Sequence, residues 1–180
     1  FIEKNTNQKS LSKEYDVLIA PSWNTSFYKL NCHKILNEQL TKNSISFKLR
    51  PHPMSFKKKE ITREEINKIG ITLDESKLVN LNDFNFLISD WSGIFIEYAL
   101  VNKKKSFLIN TPKKRNNYDY ENYINKPIEI TKRKLFGKIF NVENLDTLAN
   151  EILSQKKIFI QLIVKLLNLL RRTSISFFDY

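Results

Sequence analysis

The sequence has few of the residues on which specialised scaffolds depend. Its 180 residues include one cysteine, three glycines and five prolines. These numbers exclude a disulfide framework and a collagen-like chain, and the lone Cys32 is typical of a reducing compartment. No apolar run reaches the roughly 20 residues of a transmembrane helix. The remaining composition, 41% hydrophobic and 27% charged, is that of a globular chain and excludes wholesale disorder.

Common catalytic and cofactor motifs are also absent from the sequence. It contains no Walker A loop, no GxGxxG fingerprint and no GxSxG elbow, so it gives no support for an ATPase, an NAD-dependent enzyme or an α/β-hydrolase. The two histidines and the cysteine are far apart, without CxxC or HExxH spacing. We therefore expect no cofactor and no metal site.

The first residues carry no targeting signal. Residues 1–14 are polar, begin without methionine and lack the apolar core of a signal peptide. We interpret them as a linker or truncated start, and we expect the chain to begin inside a longer protein. Residues 15–155 are predicted to form one domain, and residues 156–180 to form an amphipathic or apolar C-terminal helix and tail.

Positive charge is present in excess and is concentrated in one segment. The formal net charge is +11, and residues 101–138 contain eleven Lys or Arg against three Asp or Glu. A concentrated basic segment predicts an anionic partner, such as nucleic acid, anionic lipid or a phosphorylated substrate. A solvated surface rich in lysine explains the same excess, and the two interpretations stay open.

Short apolar runs alternate with segments of helical spacing. Strands are predicted at residues 16–20, 44–49, 77–81, 84–88 and 106–109, and helices at residues 26–42, 57–69, 94–101 and 144–155. This alternation predicts an α/β fold, with a Rossmann-like parallel sheet covered by helices on both faces. Gly70 is predicted to end the second helix.

The tail has a different pattern. Residues 158–170 are almost continuously apolar, with a narrow polar stripe at Gln161, Lys165, Asn168 and Arg172. Packing against the sheet or a neighbour is the favoured interpretation. A membrane-interface helix anchored by Arg171 and Arg172, and a C-terminus altered by frameshift, remain as alternatives.

Three polar loops follow predicted strands, and ligands bind at the carboxyl ends of strands in open α/β sheets. The loops contain Ser22 and Trp23, then Arg50 and His52, then Ser89, Asp90, Ser92 and Gly93. In the third loop Ser92 is predicted to cap a helix whose N-terminus would face a phosphate, and Gly93 to allow close approach. An ordinary N-cap accounts for the same residues.

Arg50 and His52 are separated by one of two prolines that fix an extended backbone. An arginine fork suits phosphate, and a donor histidine could stabilise a leaving diphosphate. A surface turn is the alternative for His52. Glu97, in the helix after the third loop, could accept hydrogen bonds from ribose hydroxyls or lie exposed on the helix.

Together the segments Ala-Pro-Ser-Trp (20–23), Arg-Pro-His-Pro (50–53) and Ser-Asp-Trp-Ser-Gly-Ile-Phe-Ile-Glu-Tyr-Ala (89–99) resemble the CDP-glycerol glycerophosphotransferase family. The members of this family build teichoic-acid-like polymers. The resemblance covers residues 15–155 and implies the C-terminal, donor-binding half of a GT-B fold. It implies that the catalytic base and acceptor surface lie in an N-terminal domain outside this chain, so this chain alone is expected to bind a nucleotide without catalysis.

The resemblance also implies roles for individual residues. Arg50 and His52 would contact the donor phosphates as the catalytic residues. The turn from Ser89 and Asp90 to Ser92 and Gly93 would bind the diphosphate, and Glu97 would hold the ribose. Ser22 and Trp23 would line the same site, and Lys113 and Lys114, in a basic loop, would meet a phosphate-rich donor or acceptor.

The implied partners are CDP-glycerol or a similar nucleotide-activated polyol and a polymer or lipid-linked acceptor. The implied location is the cytoplasm, with peripheral contact to the inner face of the membrane as an option. Basic and aromatic residues do not interleave as in RNA-binding modules, so no nucleic acid is expected. A nucleotide-sugar GT-B glycosyltransferase or epimerase, and a non-catalytic basic module for anionic lipid, are the alternatives.

Overall fold

Five parallel strands form one sheet in the part of the chain that the structure describes. The structure, a computed structural model, describes residues 15–23, 26–112 and 127–175, with side chains described up to residue 168. The strands are β1 (Tyr15–Ile19), β2 (Phe47–Leu49), β3 (Phe84–Ser89), β4 (Ser106–Ile109) and β5 (Gly137–Phe140). Their order is β2-β1-β3-β4-β5, and every neighbouring pair is parallel. The predicted Rossmann-like α/β sheet is therefore confirmed.

Helices connect the strands. They are α1 (Cys32–Lys42), α2 (Pro53–Lys57), α3 (Arg63–Lys68), α4 (Ile94–Asn102), α5 (Ile128–Thr131), α6 (Arg133–Phe136) and α7 (Leu148–Ile175). Two short 3₁₀ helices, Leu81–Asp83 and Val142–Thr147, precede β3 and α7.

Alternate residues of the strands build two cores, one on each face of the sheet. Val17 and Ile19 point to the face that is covered by α1 and α7, and Leu18 points to the face covered by α4. Such alternation is the two-residue period of a strand. Because both faces bury apolar side chains, the central strands are apolar almost throughout, as the sequence pattern indicated.

One predicted strand is wrong and one strand was missed. Residues 77–81 form no strand, and Leu78 is 85% exposed. Leu49 of the edge strand β2 instead forms an isolated parallel bridge with Leu73. An earlier segment of the chain than residues 77–81 therefore lies along this edge of the sheet. The missed strand, β5, begins at Gly137, where an added Cβ would lie 2.5 Å from Leu108 Cγ. Only glycine allows the two strands to approach so closely there. The four-residue sequence of β5 does not by itself reveal this requirement.

The predicted helix over residues 57–69 is two helices. Thr62 caps α3 through a reciprocal capping box with Glu65, and Lys59 has a left-handed backbone with φ of 54°. Gly70 also has a positive φ, 72°, directly after this helix, as expected of a glycine at a helix end. The predicted helix over residues 26–42 begins only at Cys32, after a turn that ends at Asn31 with φ of 54°.

His33, although polar residues surround it in the sequence, is 3% exposed. Its ring packs edge-on against Tyr28 at 5.3 Å, and its Nδ1 atom finds no hydrogen-bond partner among the described residues. Burial, with a smaller contribution from Lys34, lowers the pKa of His33 to about 4. The histidine is therefore a neutral member of the core at pH 7.

Helix α7 continues through position 156, where the sequence analysis divided the domain from the tail. Lys156 pairs with Asp16 of β1 at 2.9 Å, across 140 positions of sequence. Among the described residues, no helix is long and apolar enough to cross a membrane.

Candidate functional site

Three loops meet at the carboxyl edge of the sheet. They follow β2, β1 and β3, which are adjacent and parallel, so the loops leave the sheet side by side. The chain reverses its direction of travel across the sheet between β1 and β3, and such a switch point is where doubly wound folds form ligand clefts. The backbone also links neighbouring strand ends here, because Arg50 N–H donates to Ile19 O and Ala20 N–H donates to Ile88 O.

The Asp90 carboxylate ties the first loop to the third. Its Oδ1 atom accepts the backbone N–H groups of Ser22 at 2.7 Å and Trp91 at 2.6 Å. One residue earlier, Ser89 Oγ donates to Ala20 O at 2.7 Å. Ser89 and Asp90 are both 0% exposed. Ser89 and Asp90, two of the four residues predicted to bind the diphosphate, therefore shape the turn from beneath and do not face solvent.

The negative charge of Asp90 also acts on the start of α1. Burial is the main cause that raises the pKa of Cys32 to about 12, and Asp90 is the second. The same two causes, in the same order, raise the pKa of Tyr28. Cys32 is consequently a buried thiol with no nucleophilic character at neutral pH.

His52 stands at the N-cap position of α2, just before Pro53. Its Nδ1 atom accepts the backbone N–H of Met54 at 3.1 Å. Because an accepting nitrogen carries no proton, the neutral ring has its proton on Nε2 and can donate it to an anion. The ring lies 6.2 Å from that of half-buried Trp23, which brings the first two loops together.

Arg50 is anchored by a loop that the sequence analysis did not connect with it. Its Nη1 atom donates to Asp74 Oδ2 at 2.7 Å and to Ser76 O at 2.9 Å. Its side chain is 24% exposed, and that of Asp74 is 10% exposed. The guanidinium is thus oriented at the rim by a carboxylate that offsets part of its charge. Asp74 lies 24 residues away, a separation at which no local pattern indicates pairing.

The third loop leads into α4, which begins at Ile94. Gly93 occupies the N-cap position with an ordinary φ of −62°. Ser92 Oγ accepts the Ile94 N–H at 3.5 Å, so the predicted cap is present only as a long hydrogen bond. Glu97 is the fourth residue of the helix, and its side chain is exposed. The sequence therefore predicted the loop and the helix correctly, and the cap one residue away from its observed position.

Glu129 of α5 is a neighbour of this turn that sequence analysis missed. A methyl group built on Gly93 would lie 3.8 Å from Glu129 Oε1. A carboxylate near a helix N-terminus is favoured by the helix dipole, the same property that attracts phosphate. An anion that approaches Gly93 would meet this negative charge.

Arg133 is the second missed residue. It lies in the basic segment of residues 101–138, but it is 3% exposed. Its Nη2 atom donates to Asp90 O at 3.1 Å and to Ile109 O at 2.5 Å, and its guanidinium stacks 3.9 Å from the Trp91 ring. Burial lowers its pKa to about 10, against the opposing effect of Asp90. The middle residue of a Lys-Arg-Lys run gives no sequence signal for this role.

Beside Trp91 lies an open pocket of about 500 Å³ at the carboxyl edge of β4. Leu30, Trp91 and Val142 provide apolar walls, and Glu143 provides a carboxylate. Pockets of this size and mixed character hold small organic ligands. Lys113 and Lys114, predicted to contribute to the site, lie outside the described residues.

Comparisons with models of protein families, with curated proteins and with solved structures found no match to this chain.

Proposed function

We propose that this chain is the donor-binding half of a CDP-glycerol glycerophosphotransferase, or of an enzyme that uses a related CDP-polyol. The observation that carries the proposal is the meeting of the three loops at the switch point of the sheet, where hydrogen bonds join the first loop to the third and the His52 ring lies beside that of Trp23. The fold would then be one half of a GT-B enzyme, with α7 extending from it. The intact enzyme would serve synthesis of a cell-surface polymer.

The residues take different roles in this proposal. His52 would donate from Nε2 to the diphosphate, since its Nδ1 is occupied by the Met54 N–H. Arg50, oriented by Asp74, would add positive charge at the rim. The N-terminus of α4 at Ser92 and Gly93 would receive the diphosphate. Ser22, Ser89 and Asp90 would hold the turn in place.

In the intact enzyme the acceptor hydroxyl would attack the β-phosphate of the donor. A new P–O bond would form to the acceptor, the P–O bond to CMP would break, and a base in the other half would take the hydroxyl proton. Charge neutralisation and positioning by Arg50, His52 and the α4 N-terminus would stabilise the transition state. Exposed Glu97 would hold the ribose, and the pocket beside Trp91 would hold an uncharged part of the donor. The cytoplasm is the expected compartment.

Calorimetric titration with CDP-glycerol, CDP, UDP and UDP-GlcNAc tests the proposal. We expect cytidine-selective binding that is lost or weakened at least tenfold in His52→Ala. A second variant, Gly93→Ala, separates the site from the fold, because its φ is ordinary and an added Cβ meets nothing closer than 3.8 Å. It should fold normally and bind at least tenfold more weakly.

The outcomes distinguish the candidate functions. Selectivity for uridine nucleotides would favour a nucleotide-sugar GT-B enzyme that uses the same helix N-terminus. Absence of binding by every nucleotide to the folded chain would contradict donor binding and leave the basic module for anionic lipid. Binding unaffected by either substitution would place the nucleotide elsewhere.

A further inference from the structure

A second pocket lies along the outer edge of the sheet, beside β5. It has a volume of about 680 Å³ and is lined by β5, by the 3₁₀ helix Val142–Thr147 and by the first turn of α7. This volume is within the range of about 300–1,000 Å³ that is typical of small-molecule sites. None of the residues that line this pocket has a role in the proposed donor site, so its ligand is a separate question.

The free edge of β5 supplies backbone hydrogen-bonding groups. Phe140 O accepts the Asn110 N–H at 2.7 Å, so the backbone of Phe140 points toward β4. Alternate residues of a strand direct their backbone polar groups to opposite sides, and the N–H and C=O of Ile139 therefore point away from β4. Within residues 15–23, 26–112 and 127–175, no strand pairs with β5 on that side. Ile139, which lines the pocket, thus offers one donor and one acceptor to a ligand.

Amide and hydroxyl side chains line the pocket beside this edge. Asn144, Thr147 and Asn150 recur at intervals of three, which places them in one row along the 3₁₀ helix and the first turn of α7. Among the described residues, the side-chain amides of Asn144 and Asn150 have no hydrogen-bond partner. Thr147 Oγ1 donates to Asn144 O at 2.7 Å, and its oxygen can still accept. Asn141 Oδ1 accepts from Asn110 Nδ2 at 3.2 Å, which leaves both N–H groups of the Asn141 amide for a ligand.

The charges at the pocket cancel. Lys138 Nζ donates to Glu151 Oε2 at 2.6 Å. Hydrogen bonds from Lys138 and Gln155 lower the pKa of Glu151, so the carboxylate is ionised at pH 7 and neutralises the lysine. Among the described residues that line the pocket, no other is charged. A phosphate would meet Glu151 and an ammonium group would meet Lys138, so the lining favours an uncharged ligand.

Two further features narrow the class of ligand. The Phe140 ring is 7% exposed, and no other aromatic residue is among the described ones that line the pocket, so a nucleobase would find no ring to stack on. β5 has only four residues and carries Lys138, and short edge strands that contain lysine disfavour pairing with another strand. A compact ligand that forms many hydrogen bonds without charge is a carbohydrate, because each hydroxyl both donates and accepts.

We propose that the pocket beside β5 binds a neutral, hydroxyl-rich ligand, which is a free sugar or a sugar unit of a glycan chain. The three asparagine amides and the Ile139 backbone form its hydrogen bonds, and Thr147 accepts a further one. The hydrogen bond between Asn110 and Asn141 separates this pocket from the one beside Trp91, because Asn110 lines that other pocket. The site therefore adjoins the donor edge, but it goes beyond nucleotide binding and does not depend on it.

Nuclear magnetic resonance of the full, isotopically labelled chain tests the proposal, because it reports each asparagine amide separately. We expect glucose or N-acetylglucosamine to shift the side-chain amide signals of Asn141, Asn144 and Asn150 until the shifts saturate. A phosphate ester of glucose and glucosamine should each bind at least threefold more weakly than glucose, since each brings a charge to a neutral pocket. Maltotriose distinguishes the two sources: at least tenfold tighter binding than glucose identifies a glycan chain, and equal binding identifies a single sugar.

Matched variants test the amide side chains. Asn144→Ala with Asn150→Ala should weaken sugar binding at least tenfold. Asn67→Ala is the control and should leave it unchanged, because Asn67 is an exposed asparagine of α3 outside the pocket. Asn150→Asp keeps the shape of the side chain and removes its two N–H donors, so it should weaken binding severalfold and tests the site even if the double variant does not fold.

Three results would overturn the proposal. They are sugar-induced shifts confined to Trp91 and Gly93, which would place the sugar at the donor edge, tighter binding of the phosphate ester than of glucose, and the absence of saturable shifts with every sugar in a folded chain. Calorimetric titration of the same samples with CDP reports separately on the donor site, and Asn150→Asp should leave CDP binding unchanged. A chain that binds sugar but no nucleotide would contradict the donor site and support this one.

Discussion

A buried charge holds the loops together in each half of the sheet's carboxyl edge, and the two charges have opposite signs. On the side of β1 and β3 the Asp90 carboxylate gathers two backbone N–H groups. On the side of β3 and β4 the Arg133 guanidinium gathers two backbone carbonyls. One residue, Asp90, takes part in both junctions, through its side chain and through its carbonyl. The loops of this site are therefore fixed by buried polar contacts as well as by the apolar core below.

The largest expected effect is on stability and comes from removing one of these charges. Asp90→Asn and Arg133→Met should each lower the free energy of unfolding by about 3–5 kcal/mol, because each disrupts two hydrogen bonds to buried backbone groups, at about 1–3 kcal/mol for each group left unpaired. Urea unfolding measures this loss. The double variant should lose less than the sum of the single losses, and additive losses would show that the two charges do not compensate each other.

Acid should lower the free energy of unfolding through His33, which packs against Tyr28 near the Asp90 carboxylate. The pKa of His33 is about 4 in the fold against 6.5 ordinarily, so the unfolded chain takes up this proton first as the pH falls. The stability that the buried, neutral His33 contributes is present in full above pH 6.5. Between pH 6.5 and pH 4 the free energy of unfolding falls by about 3 kcal/mol as this contribution is lost. Urea unfolding at several pH values should show this loss and show it diminished in His33→Phe. An identical pH profile in that variant would contradict the assignment.

The Arg133 side depends on the close approach of β5 to β4. Gly137→Ala would place a Cβ 2.7 Å from Ser106 O and even closer to the Leu108 side chain. We expect a loss of about 2 kcal/mol, measured as a lower thermal midpoint, because overpacking forces a backbone shift. Gly70→Ala is a useful comparison, since nothing lies within 4 Å of its added Cβ and only its positive φ of 72° opposes the change. A larger loss at Gly70 would show that β5 adapts easily.

The smallest effect concerns the ligand turn. Glu129→Gln removes a negative charge beside Gly93, so it should strengthen binding of a nucleoside diphosphate roughly two- to fivefold, the range of a helix-dipole interaction of 0.3–1 kcal/mol. Glu64→Gln, which removes an exposed carboxylate from the first turn of α3, is the matched control. Weaker binding in Glu129→Gln would indicate that this carboxylate contacts the ligand favourably.

The elements that were predicted correctly share a local signal. The runs around β1, β3 and β4 are apolar and short, and burial on both faces makes this pattern visible without tertiary information. The parallel order then follows from the intervening helices. β5 was missed, and residues 77–81 were wrongly predicted as a strand, because neither segment has a strong apolar run. Which of the two weak segments joins the sheet depends on which edge strand remains open for pairing.

The functional site was less predictable from the sequence than the strands were. The three loops could be found because polar residues after buried strands indicate a ligand edge. The roles within the loops could not, because Asp74 and Arg133 reach their partners only through the fold. Asp90 is informative in this respect, since the sequence singles it out but does not distinguish a carboxylate that contacts a ligand from one that holds a turn.

The ion pair between Asp16 and Lys156 has an evolutionary consequence. It joins the first strand of the sheet to the last helix, so the start of the sheet and the point where α7 leaves the core are neighbours in space. Units with adjacent ends can be inserted into a host chain, or exchanged between proteins, without separating the flanking segments. A module of this shape can be transplanted as a cassette while its carboxyl edge stays open toward whatever domain the host places opposite.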